Sequence, residues 1–545
     1  MTDTKPNGGD TYDIVVVGAG PAGCAVAARL AETRPNWRIA LVETGPATGN
    51  AFISMPLGVI AILPKAGRYN YGYETVAQPQ LGGRRGYQPR GRGVGGSSLI
   101  NAMIYIRGQR EDYDGWASSG CEGWAWNDVL PYFKRSEDNT RGQSAFHGAG
   151  GPLHVDDIRN ESRATDAFLA AAQEAGHTLT DDFNGPDQEG VGKYQVFQKN
   201  GRRYNAGQAY IHAIHRSNLH VLSDTKVLRV VFDEGRAIGV QVRRGADEIF
   251  IRASNEVVVS AGAFGTPQLL MLSGIGPAAH LRDQNINVIS DRVSVGTNLQ
   301  DHLDHISSRV ARTPGSIGMS LSGAIPILTG ILPFLRNGRG PLSSNVAEAG
   351  GFIRSEPSVE RPDIQFHFTI GLVEDHARKT HFKPGVSLHV CLLRPKSRGT
   401  VRLGSSEPAD APIIDPNYLD DADDLAGLVR GVRKAEEILN QPSLARFGGR
   451  PLYPVGESDA EIETSIRRSA DTIYHPVGTC RMGADEASVV DLALRVRGVK
   501  GLRVVDASIM PTLVSGNTQA PSAMIGEKAS DLIIADTAAP ASRTS

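Results

Sequence analysis

Three glycines and one carboxylate are spaced to bind a phosphate-bearing ligand. Gly18, Gly20 and Gly23 form a G-x-G-x-x-G run, and Glu43 follows the last of them by 20 residues. In such a run the first glycine permits a tight turn, the second admits a pyrophosphate to the backbone, and the third lets helix and strand pack closely. The N-terminus of the following helix then faces the negative charge. A carboxylate placed like Glu43 accepts hydrogen bonds from ribose hydroxyls. It disfavours a 2′-phosphate, so the ligand reads as FAD or NAD rather than NADP.

That chemistry needs a strand before the glycines and a helix after them. Tyr12–Val17 (YDIVVV) is a short apolar run rich in β-branched residues, which predicts a buried strand. It enters the glycines directly, the Ala-rich stretch Cys24–Thr33 reads as helix, and Arg38–Val42 reads as a second strand ending at Glu43. Further on, 218–251 alternates as strands and hairpins, and Glu256–Ala261 is another buried strand. Between about Asp304 and Ala470 the strands PDIQFHF, SLHVCLL and GTVRLG predict a different unit. Helices are expected over 122–137, 420–439 and 520–534, with a frayed tail after Asp536. No internal repeat is present.

The chain has 545 residues, 40% hydrophobic and 21% charged, which is an ordinary globular balance. Its 57 Lys and Arg against 59 Asp and Glu give a net charge of −2, which leaves no electrostatic case for general nucleic-acid binding. The 62 glycines exceed average usage and suit a fold whose backbone approaches a cofactor. Cys24, Cys121, Cys391 and Cys480 are scattered, so neither a zinc site nor a disulfide framework is expected. The polar, acidic start is unlike a signal peptide, and the expected location is the cytoplasm. Ala324–Leu335 is the nearest approach to a membrane span, broken by Pro326, Gly330 and Pro333. It reads first as a buried loop, with a greasy lid or a shallow contact at the inner face of a membrane as the other choices.

Four further blocks resemble the glucose-methanol-choline (GMC) oxidoreductases, a family of FAD-dependent alcohol-oxidising enzymes. They are GRGVGGSSLINAMIYIRG (91–108), SAGAFGTPQLLMLSGIGP (260–277), VGTNLQDHL (295–303), and the pair YHPVGTCRMG (474–483) with VVDASIMPTLVSGNTQAPSAMIGEKASD (504–531). With the N-terminal glycines they cover nearly the whole chain, in the family's order, and look most like bacterial choline-dehydrogenase-like and alkanol-dehydrogenase-like members. The resemblance implies an α/β fold: a Rossmann-like FAD-binding domain with a discontinuous α+β substrate domain built on an antiparallel sheet. The FAD domain is expected at 11–160, 201–303 and 470–536, the substrate domain at 161–200 and 304–469, and flexible tails at 1–10 and 537–545.

Each block also has a physical reading. Gly95 and Gly96 permit backbone contact with a flat ring, and Ser97 and Asn101 can hydrogen-bond its polar edge. Some relatives carry a histidine joined covalently to the flavin just after the serines. Here Leu99 and Ile100 stand there, so non-covalent FAD is expected. Val227 matches a backbone contact to adenine, and Asp506 and Ala507 match a second pyrophosphate and ribityl contact.

Oxidising an alcohol to a carbonyl removes a proton from oxygen and a hydride from carbon; a flavin takes the hydride at N5, so the protein must supply a base. His475 fits the base, with an ordinary pKa of about 6.5, and Asn517 fits as hydrogen-bond donor to the alcohol oxygen. The family's pair is His–His or His–Asn, and this chain has the second form. Asn345, Glu348, Phe366, Phe368 and Ile473 are the substrate-side candidates. The cluster Asp301, His302, Asp304 and His305 lacks the separated scaffold of zinc ligands, and no metal is expected. No G-x-S-x-G elbow supports a hydrolase.

The expected reaction is therefore primary alcohol to aldehyde, with a quinone, redox carrier or oxygen as acceptor. A dehydrogenase using a non-oxygen acceptor leads; a peroxide-forming oxidase and a hydroxynitrile lyase with structural FAD stay open. No cluster of acidic or aromatic residues marks a choline-type cage.

Overall fold

A computed structural model describes residues 10–312, 315–318, 321–447 and 449–538. Most of both expected tails lies outside them. Two seven-stranded sheets organise the rest.

The first sheet runs 219–222, 39–42, 11–17, 247–259, 236–244 and 226–233, with 502–504 also against 247–259. Its centre is parallel, Ile14–Val17 lying beside Ile39–Val42 on one side and Glu256–Val259 on the other. These strands are buried on both faces, which is why they read as unbroken apolar runs. EIFIRA and EVVVSA, which read as separate strands, are one strand, Asp247–Val259. Its first half pairs antiparallel with Arg236–Arg244 and its second half parallel with Thr11–Val17 and Leu502–Val504. One long strand thus joins a hairpin extension to the parallel core.

The helix Pro21–Thr33 crosses from the first strand to the second, and packs against the last helix, Gln519–Ala538. Gly526 allows that approach, since a Cβ there would lie 2.3 Å from the Ala22 carbonyl oxygen. Beside it Glu527, fully buried, accepts from Arg29 (2.9 Å), Arg135 (2.6 Å) and Tyr210 (2.8 Å). A buried carboxylate is tolerated only when paired in this way.

The second sheet is antiparallel and runs 450–451, 303–310, 385–392, 364–369, 349–353 and 190–193, with 471–472 beside 303–310. The helix Ala422–Leu439 covers one face, capped by Asp421 accepting from the Asp423 amide. Ile364, Phe366, Phe368, Leu388 and Val390 fill the core on the sheet. The opposite face of the same strands presents Asp304, Ile306, Ser308, His367, Thr369 and His389 to a cavity that continues to the glycine turn of the first sheet.

Two further expectations change. The helix expected over 122–137 begins at Trp126 and ends at Ser136. Ala324–Leu335 is not a buried loop: Leu321–Thr329 and Ile331–Asn337 are two short helices. Ile325, Leu328, Ile331, Leu332 and Leu335 on them are 45–66% exposed. Among the described residues no helix is long and apolar enough to cross a membrane.

Candidate active site

The turn after the first strand is built by sterics. Gly18 has φ +97°, and a Cβ on it would lie 2.4 Å from the Ser260 carbonyl oxygen. A Cβ on Gly23 would lie 1.9 Å from the Gly18 carbonyl oxygen, so only glycine lets the helix sit this close to the strand. Gly20 differs: a Cβ there would meet nothing within 4 Å. It opens onto the cavity, so its lack of a side chain makes room for a ligand and not for the protein.

Glu43 stands at the same rim, buried, with more structural work than the sequence shows. Its carboxylate accepts from the amides of Ala19 (2.9 Å), Gly45 (2.8 Å) and Gly93 (3.0 Å), tying the glycine turn to the 91–108 loop. Burial pushes its pKa up, and the three amides oppose that rise. In the same loop Gly95 donates to the Ala19 carbonyl (2.7 Å), and a Cβ on Gly96 would lie 2.6 Å from Gly20 Cα. Two glycine backbones therefore meet at the rim. Ser97 lines the cavity and accepts from the Gly91 amide at 3.1 Å. Asn101 also lines it, but is largely engaged: Nδ2 donates to Gln519 (2.6 Å), and Oδ1 accepts from the Met103 amide and from Arg203. Asp506 accepts from the Gly262 amide (2.8 Å), Thr266 (2.5 Å) and the Ser508 amide (2.8 Å), and with Ala507 and Val227 borders the cavity.

At the far end His475 and Asn517 meet, with Nε2 and Nδ2 3.1 Å apart. Neighbours fix the orientation of both. Gln365 Nε2–H donates to Asn517 Oδ1 at 3.0 Å, which turns the Asn517 amide nitrogen toward His475. Behind His475, its Nδ1 lies 2.9 Å from Nδ1 of His302, whose Nε2 lies 2.9 Å from the Leu393 carbonyl. A carbonyl only accepts, so His302 carries its proton on Nε2 and offers a lone pair at Nδ1. His475 must then hold its proton on Nδ1, leaving the Nε2 lone pair toward Asn517 and the cavity. That is the tautomer a base requires.

Burial pushes the His475 pKa well below its ordinary value, with the histidines 302 and 367 and Arg90 adding to the shift. Burial likewise takes His302 down to about 4 and His367 to about 3. The imidazole is therefore neutral near pH 7, with no proton on Nε2. Its backbone is held as firmly: the His475 amide donates to Asp301 (2.8 Å), which also accepts from Tyr418 and Thr472, both at 2.6 Å. The preceding Tyr474 sits at φ +75°, a strained position for a bulky residue. Its carbonyl accepts from Arg90 (2.9 Å) and its hydroxyl meets His376 (2.6 Å).

Of the substrate-side candidates, Asn345 and Ile473 line the cavity. Asn345 donates to the carbonyls of Ala102 and Ala347, and its Oδ1 has no partner. The other three are corrected. Glu348 is buried behind the wall, accepting from Asn160, Thr165 and Ser344 at 2.6–2.7 Å. Phe366 and Phe368 point into the second core, where Phe368 stacks on Phe168 at 4.4 Å. Side chains alternate along a strand, so their neighbours Gln365 and His367 face the active side. His302 was the other residue missed: it reads as part of a metal-like cluster, and only the fold shows it standing behind His475.

The whole cavity, about 1410 Å³, exceeds the roughly 300–1,000 Å³ of a pocket for one drug-sized ligand. Its length from Gly20 to His475, the open face at Gly20 and the donor and acceptor groups at its rim fit a dinucleotide with a small substrate beyond it.

A glycine turn at one end of a long cavity and a buried neutral imidazole at the other suit an enzyme that works on a dinucleotide. Family models described as GMC oxidoreductase match residues 12–304 and 395–526, and the chain belongs to that family. It is an FAD-dependent enzyme acting on CH–OH donors. It is 45% identical over 529 residues to an alcohol dehydrogenase (acceptor) of Pseudomonas putida, covering 96% of each chain. It is 43% identical over 536 residues to the mitochondrial choline dehydrogenase of Homo sapiens, covering 96% of this chain and 90% of that one. The crystal structure of pyridoxine 4-oxidase from Mesorbium loti superposes with a TM-score of 0.84 at 32% identity, covering 95% and 98% of the two chains.

Proposed function

We propose that the protein oxidises a primary alcohol to the aldehyde and passes the electrons to an acceptor other than oxygen. The observation that carries the chemistry is the unprotonated Nε2 of a neutral His475, which accepts from the Asn517 amide at 3.1 Å and is held in that tautomer by His302. His475 Nε2 takes the hydroxyl proton, and Asn517 Nδ2 donates to the alcohol oxygen and stabilises the charge that develops there. FAD, when bound, supplies the two-electron acceptor for the hydride that leaves carbon. Gly18, Gly20, Gly23, Glu43, Gly95, Gly96, Ser97, Asp506 and Ala507 would hold it, with Val227 at the adenine end and Asn101 bracing the loop. Binding is non-covalent, since Leu99 and Ile100 offer no group to join it. Asn345, His367 and Ile473 border the space for the alcohol. The likeness to an alcohol dehydrogenase that uses an acceptor supports the choice against an oxidase. The proposed location is the cytoplasm.

Anaerobic stopped-flow mixing with linear, aromatic and quaternary-ammonium alcohols tests this. One class should bleach the flavin absorbance, and admitted air should restore it only slowly. Fast recolouring would make the protein an oxidase, and cyanide release from cyanohydrins without bleaching would make it a lyase. His475→Ala should lower the bleaching rate by about 10²–10⁴-fold with FAD retained.

A further inference from the structure

The described residues include 14 large hydrophobic side chains that are exposed, and five of them lie within 11 residues of chain. Ile325 and Leu328 stand on one short helix, and Ile331, Leu332 and Leu335 on the next, spaced to share an outer face. The inner side is fastened down. Phe334 is buried beneath the Arg202 guanidinium at 4.7 Å, and Ile327 packs on the second core. The helix pair therefore presents apolar residues inward and outward at once. A water-facing helix does not do this.

Charge says what the outer face meets. Between Asp304 and Glu348 the chain has no acidic residue, although 59 in 545 would place several in a stretch of that length. Between Glu43 and Glu74 there is again none. The fold brings these two stretches together, because the turn Pro56–Gly58 packs on the turn Pro341–Ser343. Lys65, Arg336 and Arg339 on them are exposed. An apolar face whose two stretches bear exposed cations and no acidic residue of their own, on a protein whose net charge is −2, matches an anionic lipid surface. The patch also adjoins the cavity: Ile60 and Leu63 line it, and Ile60 is 45% exposed.

We infer that the helix pair 321–337 docks this enzyme on an anionic bilayer, with the outer residues in the headgroup boundary and the mouth of the cavity at the lipid surface. An apolar substrate or acceptor would then enter from lipid without crossing water. This names a partner for the enzyme proposed above and rests on that reading only for what passes through the mouth.

The test is co-sedimentation of the holoenzyme with vesicles of phosphatidylcholine alone or mixed with phosphatidylglycerol, at physiological ionic strength. Wild type should bind the mixed vesicles and bind the neutral ones far less. L328S/L332S should lower partition to the mixed vesicles about tenfold. R336Q/R339Q should lower it roughly thirtyfold and remove the preference for phosphatidylglycerol. Dye-linked alcohol oxidation in solution should be unchanged in both, which keeps a failure of docking apart from a failure of the chemistry. Absence of wild-type binding, or equal binding by the variants, would overturn the inference. So would a mass in sedimentation equilibrium that drops in L328S/L332S without any vesicle binding, since the face would then join two copies of the chain.

Discussion

His302→Leu removes the group that fixes the His475 tautomer, and its cost follows from the hydrogen bonds. In the wild type His475 Nδ1–H has one acceptor, His302 Nδ1 at 2.9 Å, in a fully buried setting. With leucine at 302 that proton is orphaned, and leaving a buried donor unsatisfied costs about 1–3 kcal/mol. The imidazole can shed that cost only by moving its proton to Nε2, where it would face the Asn517 amide N–H at 3.1 Å, and Nε2 is the atom that has to accept the substrate proton. Restoring the reactive tautomer then adds at most those 1–3 kcal/mol to the barrier, a loss of up to about 5- to 150-fold in kcat/KM. Anaerobic flavin bleaching by a good alcohol measures it, with FAD content read from absorbance on the same samples. His302→Asn, whose amide oxygen can accept from Nδ1–H, should recover part of the rate, which a purely structural defect would not allow. Bleaching at the wild-type rate in His302→Leu would refute the tautomer argument, as would equal losses in the leucine and asparagine variants.

Gly20 and Gly23 should separate cofactor binding from folding. Gly20→Ala finds open space and an ordinary extended φ of −71°, so the protein should fold with an unchanged melting curve when stripped of FAD yet bind FAD weakly. Gly23→Ala puts a methyl 1.9 Å from a carbonyl oxygen and should lose soluble expression; a well-folded Gly23→Ala protein would contradict the packing described. Acidification should also destabilise the protein before carboxylates titrate. His302 and His305 fall to about 4 and His367 to about 3 on burial, against about 6.5 unfolded. Their folded pKa values are depressed, so the stability they permit is full above 6.5 and is lost as pH falls toward 4. Each contributes about 1.4 kcal/mol per pH unit inside that window. The apparent Tm should drop between pH 6.5 and 5, and less so in His305→Gln; a flat Tm across that range would count against neutral buried histidines.

What could be read from the chain and what could not divide along a physical line. The glycine turn was legible because steric demands at Gly18 and Gly23 act on local backbone, and local backbone demands write themselves as glycine. The apolar strands on either side were legible because both faces are buried. The phase of strand 364–369 was legible as well: all six residues are buried, yet apolar Ile364, Phe366 and Phe368 alternate with polar Gln365, His367 and Thr369. The aromatic residues were read as ligand contacts, when the apolar half of that alternation belongs to the core and the polar half to the cavity. His302 was hidden. Its role depends on a partner 173 residues away, and within NLQDH nothing distinguishes a histidine that orients a base from one that packs. The exposed helix pair was misread as buried because hydrophobicity alone does not say which solvent a side chain faces.

The helix that follows the glycine turn is packed by the helix that closes the described chain, through the Gly526 contact and the three donors on Glu527. On a ribosome the first of these elements emerges before residues 34–518 have been made. The strand, turn and first helix leave with an apolar flank exposed, and the flank stays uncovered until Gln519–Ala538 follows. The groove is therefore completed only when that later helix arrives, and cofactor capture has to wait for it. Until then the exposed flank is a surface that a chaperone could hold.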